Sequence, residues 1–252
     1  MDDQSAHDIL ARLINASKKA GADAADAVLF ESADLGVTWR VGKVEEVERS
    51  EAQDLGLRVL VGRRQAAVSS TDHSDAALSE LAERCVAMAK LAPEDPYCGL
   101  APEDRLARAP FKDLDLFDPS EPSADELTGL AETAEAAALS VEGVSNSSGA
   151  SAHWGSGSKR LLTSAGFFGS ARGTSHSISV SVLAGEGLAM ERDYDYTSAL
   201  HAEDLRTPED VGRTAGERTV RRLNPRKVDS QSIPVIYDHR VSASLIRHMA
   251  GA

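Results

Sequence analysis

Aromatic residues are scarce. Phe, Trp and Tyr together make up 4% of the 252 residues, so the core has to be built mostly from Ala, Val, Leu and Ile. Cysteine is scarcer still. Cys85 and Cys98 are the only two, and they form no Cys-x-x-Cys pair, which excludes a disulfide framework and a thiolate zinc site. A reducing, cytoplasmic setting fits that usage. No apolar run approaches the about 18 residues of a membrane-spanning helix. The start MDDQSAHDIL has no basic segment followed by an apolar one, so neither export nor membrane insertion is expected. Positive charge is also in deficit: 27 Lys and Arg face 40 Asp and Glu, a formal charge of −13. Affinity for nucleic acid rests largely on phosphate neutralisation, and no basic run is interleaved with aromatics, so direct DNA or RNA binding is not expected. Residues 201–252 are the less acidic end, with nine basic residues against seven acids. There Arg221, Arg222, Arg226 and Lys227 read as a solvated helix end, where cations suit the partial negative charge.

What is present is an ordinary globular mixture, 42% apolar and 27% charged. Ile9, Leu10, Leu13, Ile14 and Ser17 follow the i, i+3, i+4 spacing of one helical stripe, which ends near Gly21. Period-two alternation then predicts half-buried strands at Val28–Glu31, at Leu35 to Val41 and at Leu55 to Val61, with Gly62-Arg63-Arg64 turning into Gln65–Ser70. Thr71, Asp72 and Ser74 are candidate caps for a second helix with the stripe Leu78, Leu81, Ala82, Cys85, Val86 and Ala89, stopped by Pro93. Residues 92–122 hold six of the nine prolines and read as an extended connection containing a boundary.

The pattern then repeats. Ser123 and Glu126 form a capping box ahead of the stripe Leu127, Leu130, Ala131, Ala134 and Ala138. Half of residues 140–185 are Ser, Thr or Gly, and Ile178, Val180 and Val182 alternate there with serines as strands with polar outer faces. A further strand carries Met190, Arg192, Tyr194 and Tyr196 on one side and Glu191, Asp193 and Asp195 on the other. Thr207-Pro208 caps a fourth helix, ended by Asn224-Pro225. The expected class is α+β, antiparallel sheets flanked by helices, with a helix-strands-helix unit that occurs twice. The units are residues 1–112 and 113–230. A third, 231–252, opens with a short strand at Ile233–Tyr237, an Asp238 cap and a helix face of Val241, Leu245, His248 and Ala252. The chain ends inside that helix, so the polypeptide reads as the front portion of a longer protein.

Residues 155–160, Gly-Ser-Gly-Ser-Lys-Arg, lack the ending of a phosphate loop and read as a turn. Gly166, Gly169 and Gly173 precede a strand, whereas a dinucleotide signature opens a helix. His7, His73 and His201 read as surface residues. His153 and His176 lie in the serine-rich strands and are able to approach each other, but a metal site would need a third ligand. Cys85 reads as core and Cys98 as an incidental loop thiol. Asp193 and Asp195 share one strand face, and the simplest reading is a solvated outer face. No residue of this chain is assigned a catalytic, metal-binding or cofactor-binding role.

Seven stretches in order resemble the TldD/PmbA family, the modulators of DNA gyrase, in its PmbA (TldE) branch. They are Gly21-Ala22-Asp23-Ala24, residues 55–62 (LGLRVLVG), residues 92–97 (APEDPY), Ser164-Ala165-Gly166-Phe167, residues 190–195 (MERDYD), residues 222–227 (RLNPRK) and residues 234–238 (PVIYD). The resemblance implies an N-terminal α+β region, the start of a mostly β C-terminal domain, and assembly with a TldD-like catalytic subunit. In the TldD branch a helix carries His-Glu-x-x-x-His, two metal ligands and a general base. Setting residues 240–252 in register puts Arg247 and His248 at the first His and the Glu, and Ala252 at the second His. Arginine has no lone pair to donate and alanine no ligand atom. The resemblance therefore implies a subunit without its own metal, zinc being expected in the partner. Its role would be to help process unfolded or leader peptides. The alternative expectation is an acidic adaptor that modulates gyrase or another partner without proteolysis.

Overall fold

Strand pairing joins the two helix-strands-helix units into one sheet. The computed structural model describes residues 1–108 and 110–252. Its first unit is α1 (Asp3–Ala20), β1 (Ala24–Arg40), β2 (Lys43–Val61), β3 (Arg64–Ser70) and α2 (Asp75–Leu91). The second is α3 (Ala124–Leu139), β4 (Val144–Thr163), β5 (Phe168–Ala184), β6 (Glu191–Ala199) and α4 (Pro208–Arg221), and α5 (His239–Ala250) follows. The six strands are ordered β3-β2-β1-β4-β5-β6, all neighbours antiparallel. Two three-stranded meanders thus meet where β1 pairs with β4, from Asp26–Thr163 to Trp39–Ala150.

The helices form where their caps and stripes require. Asp2 accepts from the Ser5 N–H at 2.8 Å, and Gly21 closes α1 at φ 105°, a left-handed conformation that suits glycine. Ser74 is the cap chosen for α2, whose predicted stripe is buried in full. The Ser123–Glu126 box is formed on α3, and Thr207 caps α4 with Pro208 in its first turn. Along β1 the buried residues Ala25, Ala27, Leu29, Leu35 and Val37 share one parity, so α1–α2 and α3–α4 cover the same face of the sheet. The other face is open.

Four expectations need correction. The two predicted strands around Val28–Glu31 and Leu35–Val41 are one strand, because the Ser32–Asp34 interruption pairs on both sides with β2 and β4. β2 starts twelve residues before Leu55, at Lys43, and residues 43–52 are all exposed, a charged hairpin arm that carries no burial pattern to read. Residues 155–160 are not a turn but the middle of β4. A Cβ at Gly155 would fall 2.8 Å from Asp34 Oδ1 and 3.1 Å from Ser175 Oγ, so glycine there lets both side chains keep their places. Finally, Ile233–Tyr237 forms no strand: it pairs with nothing and its apolar side chains are exposed.

The β1–β2 hairpin turns through Val41 and Gly42, with φ 47° and 79°. Two positive φ values in a two-residue loop match the twist of the strands. The buried Glu135 of α3 accepts both turn amides, Val41 N–H at 3.0 Å and Gly42 N–H at 3.5 Å.

Candidate functional site

At the β6 edge, alternation puts acids inside. Asp193 and Asp195 are 6% and 4% exposed, while Tyr194 and Tyr196 face outward, 6.3 Å apart between ring centroids. The expectation of a solvated acidic face is thus reversed. Four arginines offset the buried charge: Arg206 and Arg218 bind Asp195, while Arg222 at 3.2 Å and Arg240 at 3.0 Å bind Asp193. Burial alone would push the Asp193 carboxyl up, yet hydrogen bonds from Arg240, the Tyr194 N–H and Arg222 outweigh it and hold the group below the usual carboxylate range. Arg218 and Arg222 stand one turn apart on α4, matching Asp195 and Asp193 two residues apart on β6. That match becomes legible only once α4 is seen to lie over β6.

Arg240 is also the handhold of α5. The helix buries no residue, and Arg240 reaches Asp193, the Tyr194 carbonyl at 3.3 Å and the Tyr194 ring at 5.4 Å. Asp238 caps α5 as expected. Arg247 and His248 lie on its exposed surface. Among the described residues no group of three His, Cys, Asp or Glu side chains is arranged around a common point for a metal.

On the open face the serine-rich strands form polar rows, Ser151 beside Ser179 and His153 beside Ser177. His176 instead pairs with Trp154, so the two histidines point to opposite faces and do not meet. His153 Nε2 lies 3.4 Å from Asp34 Oδ1, half-exposed. The remaining candidates are structural. Cys85 is fully buried with its Sγ 3.3 Å from the Ala66 carbonyl, and burial pushes its thiol up, away from reactivity. His201 Nε2 is 3.1 Å from the Asp115 carbonyl, which raises its proton affinity.

His176, named from the sequence only as a candidate neighbour of His153, stands in a different setting. It is 4% exposed on the inner face of β5, and desolvation lowers its proton affinity although Asp118 opposes the shift. Asp118 accepts the N–H groups of Ala202 and Ser120, each at 2.8 Å, and these hold it ionised far below the usual range. The Asp118 Oδ2 to His176 Nε2 distance is 3.3 Å, without the alignment of a hydrogen bond. Thr174 and Trp154 pin the same connection down: Thr174 Oγ1 accepts from Asp118 N–H at 2.8 Å, and Trp154 Nε1 donates to the Ser120 carbonyl at 3.1 Å.

Residues 25–89 match the profile of PmbA/TldA metallopeptidase domain 1, and residues 117–223 that of the PmbA/TldA metallopeptidase central domain. The chain belongs to the PmbA/TldD family. Metalloprotease PmbA of Escherichia coli O157:H7 is 38% identical over 91% of this PmbA/TldD-family chain and 51% of its own length. The Metalloprotease PmbA homolog of Haemophilus influenzae is 36% identical over 95% of the chain and 53% of its own length. The chain therefore spans about half the length of these relatives. A candidate modulator of DNA gyrase from Bacteroides thetaiotaomicron shares the fold at TM-score 0.83 and 24% identity, over 90% of this chain and 52% of the other. TldE from Thermococcus kodakarensis shares it at TM-score 0.68 and 16% identity, over 84% and 46%. No helix among the described residues is long and apolar enough to cross a membrane.

Proposed function

We propose that this chain is the non-metal-binding, TldE-like subunit of a two-subunit peptidase that processes unfolded or leader peptides, with zinc and hydrolysis on a TldD-like partner in the cytoplasm. The observation that carries the reading is the donor set of α5. Where the family resemblance places the metal-binding motif, this helix presents Arg247, His248 and, just beyond its end, Ala252. A catalytic zinc takes about three protein ligands, and one exposed imidazole beside a permanently protonated guanidinium does not fit it. No step of hydrolysis is therefore written on this chain. Its contribution is to complete the chamber and to receive extended peptide. The polar open face, with Ser151, Ser177 and Ser179 in rows, suits backbone recognition with little side-chain preference.

The decisive experiment is co-expression of the full-length protein with a TldD-like chain. The expected result is a stable complex that cleaves unfolded casein and stops when zinc is chelated, while the protein alone is inert and holds no zinc. Zinc near one equivalent in the isolated protein, or chelator-sensitive cleavage without the partner, overturns the proposal. If no complex forms and no peptide is cut, the adaptor reading replaces it. Protection from hydrogen exchange on peptide addition is expected within residues 140–185, and protection that avoids them removes the open face from the peptide path.

A further inference from the structure

A cleft of about 710 Å3 lies between the first turns of α3 and α4 and the inner face of β5. That is the size of a small-molecule site, roughly 300–1,000 Å3. Its walls are apolar, with Pro122, Leu127, Leu130, Ile178, Leu205 and Pro208, and the His176 imidazole lies among them. The charged side chains at its mouth are already engaged. Glu126 accepts from Ser123 at 2.9 Å, Glu121 accepts from Arg49 at 3.1 Å, and Arg206 binds Asp195. Both helix N-termini are capped by their own side chains, Ser123 and Thr207, so neither holds out a free first-turn site to an anion. Among the buried residues that line it, His176 is the polar one, and its side chain makes no hydrogen bond to the described residues, its Nε2 standing by Asp118.

The electrostatics of the ring favour one tautomer. The Asp118 carboxylate stands 3.3 Å from Nε2 and is held ionised by two backbone amides, so it favours the proton on Nε2. The lone pair is then on Nδ1, and the ring is a hydrogen-bond acceptor in a largely apolar cleft whose charged residues Glu121, Glu126 and Arg206 are already paired. We infer that this cavity binds an uncharged, ring-sized apolar group with a single hydroxyl donor, of the phenol type, whose hydroxyl donates to His176. An anionic or cationic analogue would be buried without a counter-charge. The chemistry is common to a free phenol and to the tyrosine side chain of a peptide. The inference does not depend on the peptidase reading.

The test follows the His176 ring signals by NMR in the whole protein during titration with p-cresol, toluene, 4-methylbenzoate and N-acetyltyrosinamide. p-Cresol is expected to give a saturable shift, toluene to bind about fivefold more weakly for want of the hydrogen bond, and 4-methylbenzoate not to bind. Leu130→Trp puts an indole into the cleft wall and is expected to abolish binding while circular dichroism and melting show an intact fold. His176→Phe keeps the apolar space and, followed through the Ile178 methyl signals of the same cleft, is expected to bind p-cresol and toluene equally. If N-acetyltyrosinamide binds as tightly as p-cresol, the phenol is borne on a peptide; if it binds tenfold more weakly or worse, the natural group is a free small molecule. Absence of a saturable shift with either phenol, a shift that survives Leu130→Trp, or toluene binding as well as p-cresol in the unaltered protein overturns the inference.

Discussion

The α1–α2 layer and the α3–α4 layer cover the same face of one sheet with different materials. Under α1 and α2 the buried set is mainly aliphatic, Leu10, Leu13, Leu29, Leu55, Leu57, Leu78 and Leu81 with alanines between them, and the buried polar groups are Ser17 and, at the margin, Arg160. Under α3 and α4 the helices meet through Ala131, Ala134 and Ala138 against Gly212, Ala215 and Gly216, and the layer also buries Glu135, His176, Asp193 and Asp195. The first layer is held by area removed from water, the second by fit and by charge pairs that lose their worth when one member is removed. Polar groups are retained in a core where they position something. Here they position the connection at 115–122, the hairpin turn and α5.

Three substitutions separate these modes. Leu57→Ala, at the centre of the aliphatic layer, is expected to cost about 4 kcal/mol through lost burial and the cavity left behind. Asp195→Ala leaves Arg206 and Arg218 facing each other without their carboxylate. Because the arginines are 41% and 23% exposed, the cost is expected at the lower end for a broken buried pair, about 3 kcal/mol. Gly212→Ala would drive a methyl into the Ala134 carbonyl oxygen, so α3 and α4 have to separate, at about 2 to 3 kcal/mol. Chemical denaturation of each variant measures the order. If Asp195→Ala costs less than about 1 kcal/mol, the buried charges are decoration and the contrast between the layers fails.

How much of this was legible in the sequence follows the same divide. The α2 stripe was readable residue by residue and those of α1 and α3 nearly so, because a helix facing a layer of leucine and alanine has only one apolar side, whereas the expected α5 face of Val241, Leu245, His248 and Ala252 is exposed. Thr207, Ser123 and Gly21 marked the ends for reasons local to the backbone. β6 was misread because tyrosine and aspartate alternate there, and the ordinary preference puts the ring inside. Only the facing arginines of α4 reverse it, and they are a tertiary fact. Residues 155–160 were misread because glycine marks turns more often than it marks the close approach that Gly155 makes to Asp34. His176 could not be ranked above His153 without knowing which of two neighbouring parities faces the helices.

Acid sharpens the contrast further, with a smaller effect. His176 is buried neutral, its folded-state proton affinity below the ordinary value of 6.5. The unfolded chain therefore takes up a proton first as pH falls. Its contribution to stability is complete above pH 6.5 and is lost as pH drops below that value. His201 acts in the opposite sense, its raised affinity favouring the fold below 6.5 and less as pH rises. His176→Phe is expected to flatten the loss of stability between pH 6.5 and 5, whereas Leu57→Ala is expected to leave that slope unchanged. An unchanged slope in that variant, measured by denaturation across the range, would assign the effect elsewhere.

The smallest expected effect concerns the point where the second layer reaches over to the first. Val41 holds φ 47° in the β1–β2 turn, a conformation that crowds a β-branched side chain. Glycine there removes crowding worth about 1–2 kcal/mol and widens the unfolded ensemble at a cost of about 0.5–1 kcal/mol, so the first contribution is the larger. With the Val41 side chain 59% exposed, little burial is lost. Val41→Gly is therefore expected to stabilise by about 1 kcal/mol or less. The turn amides bound by Glu135 remain in place in that variant, so its hydrogen exchange at residues 41 and 42 should be as slow as before. Glu135→Gln alters the other side of the same contact: it removes the carboxylate that accepts both amides and should speed their exchange. If Val41→Gly speeds exchange as much as Glu135→Gln does, the turn is held by the valine's own conformation and not by the buried acid of α3.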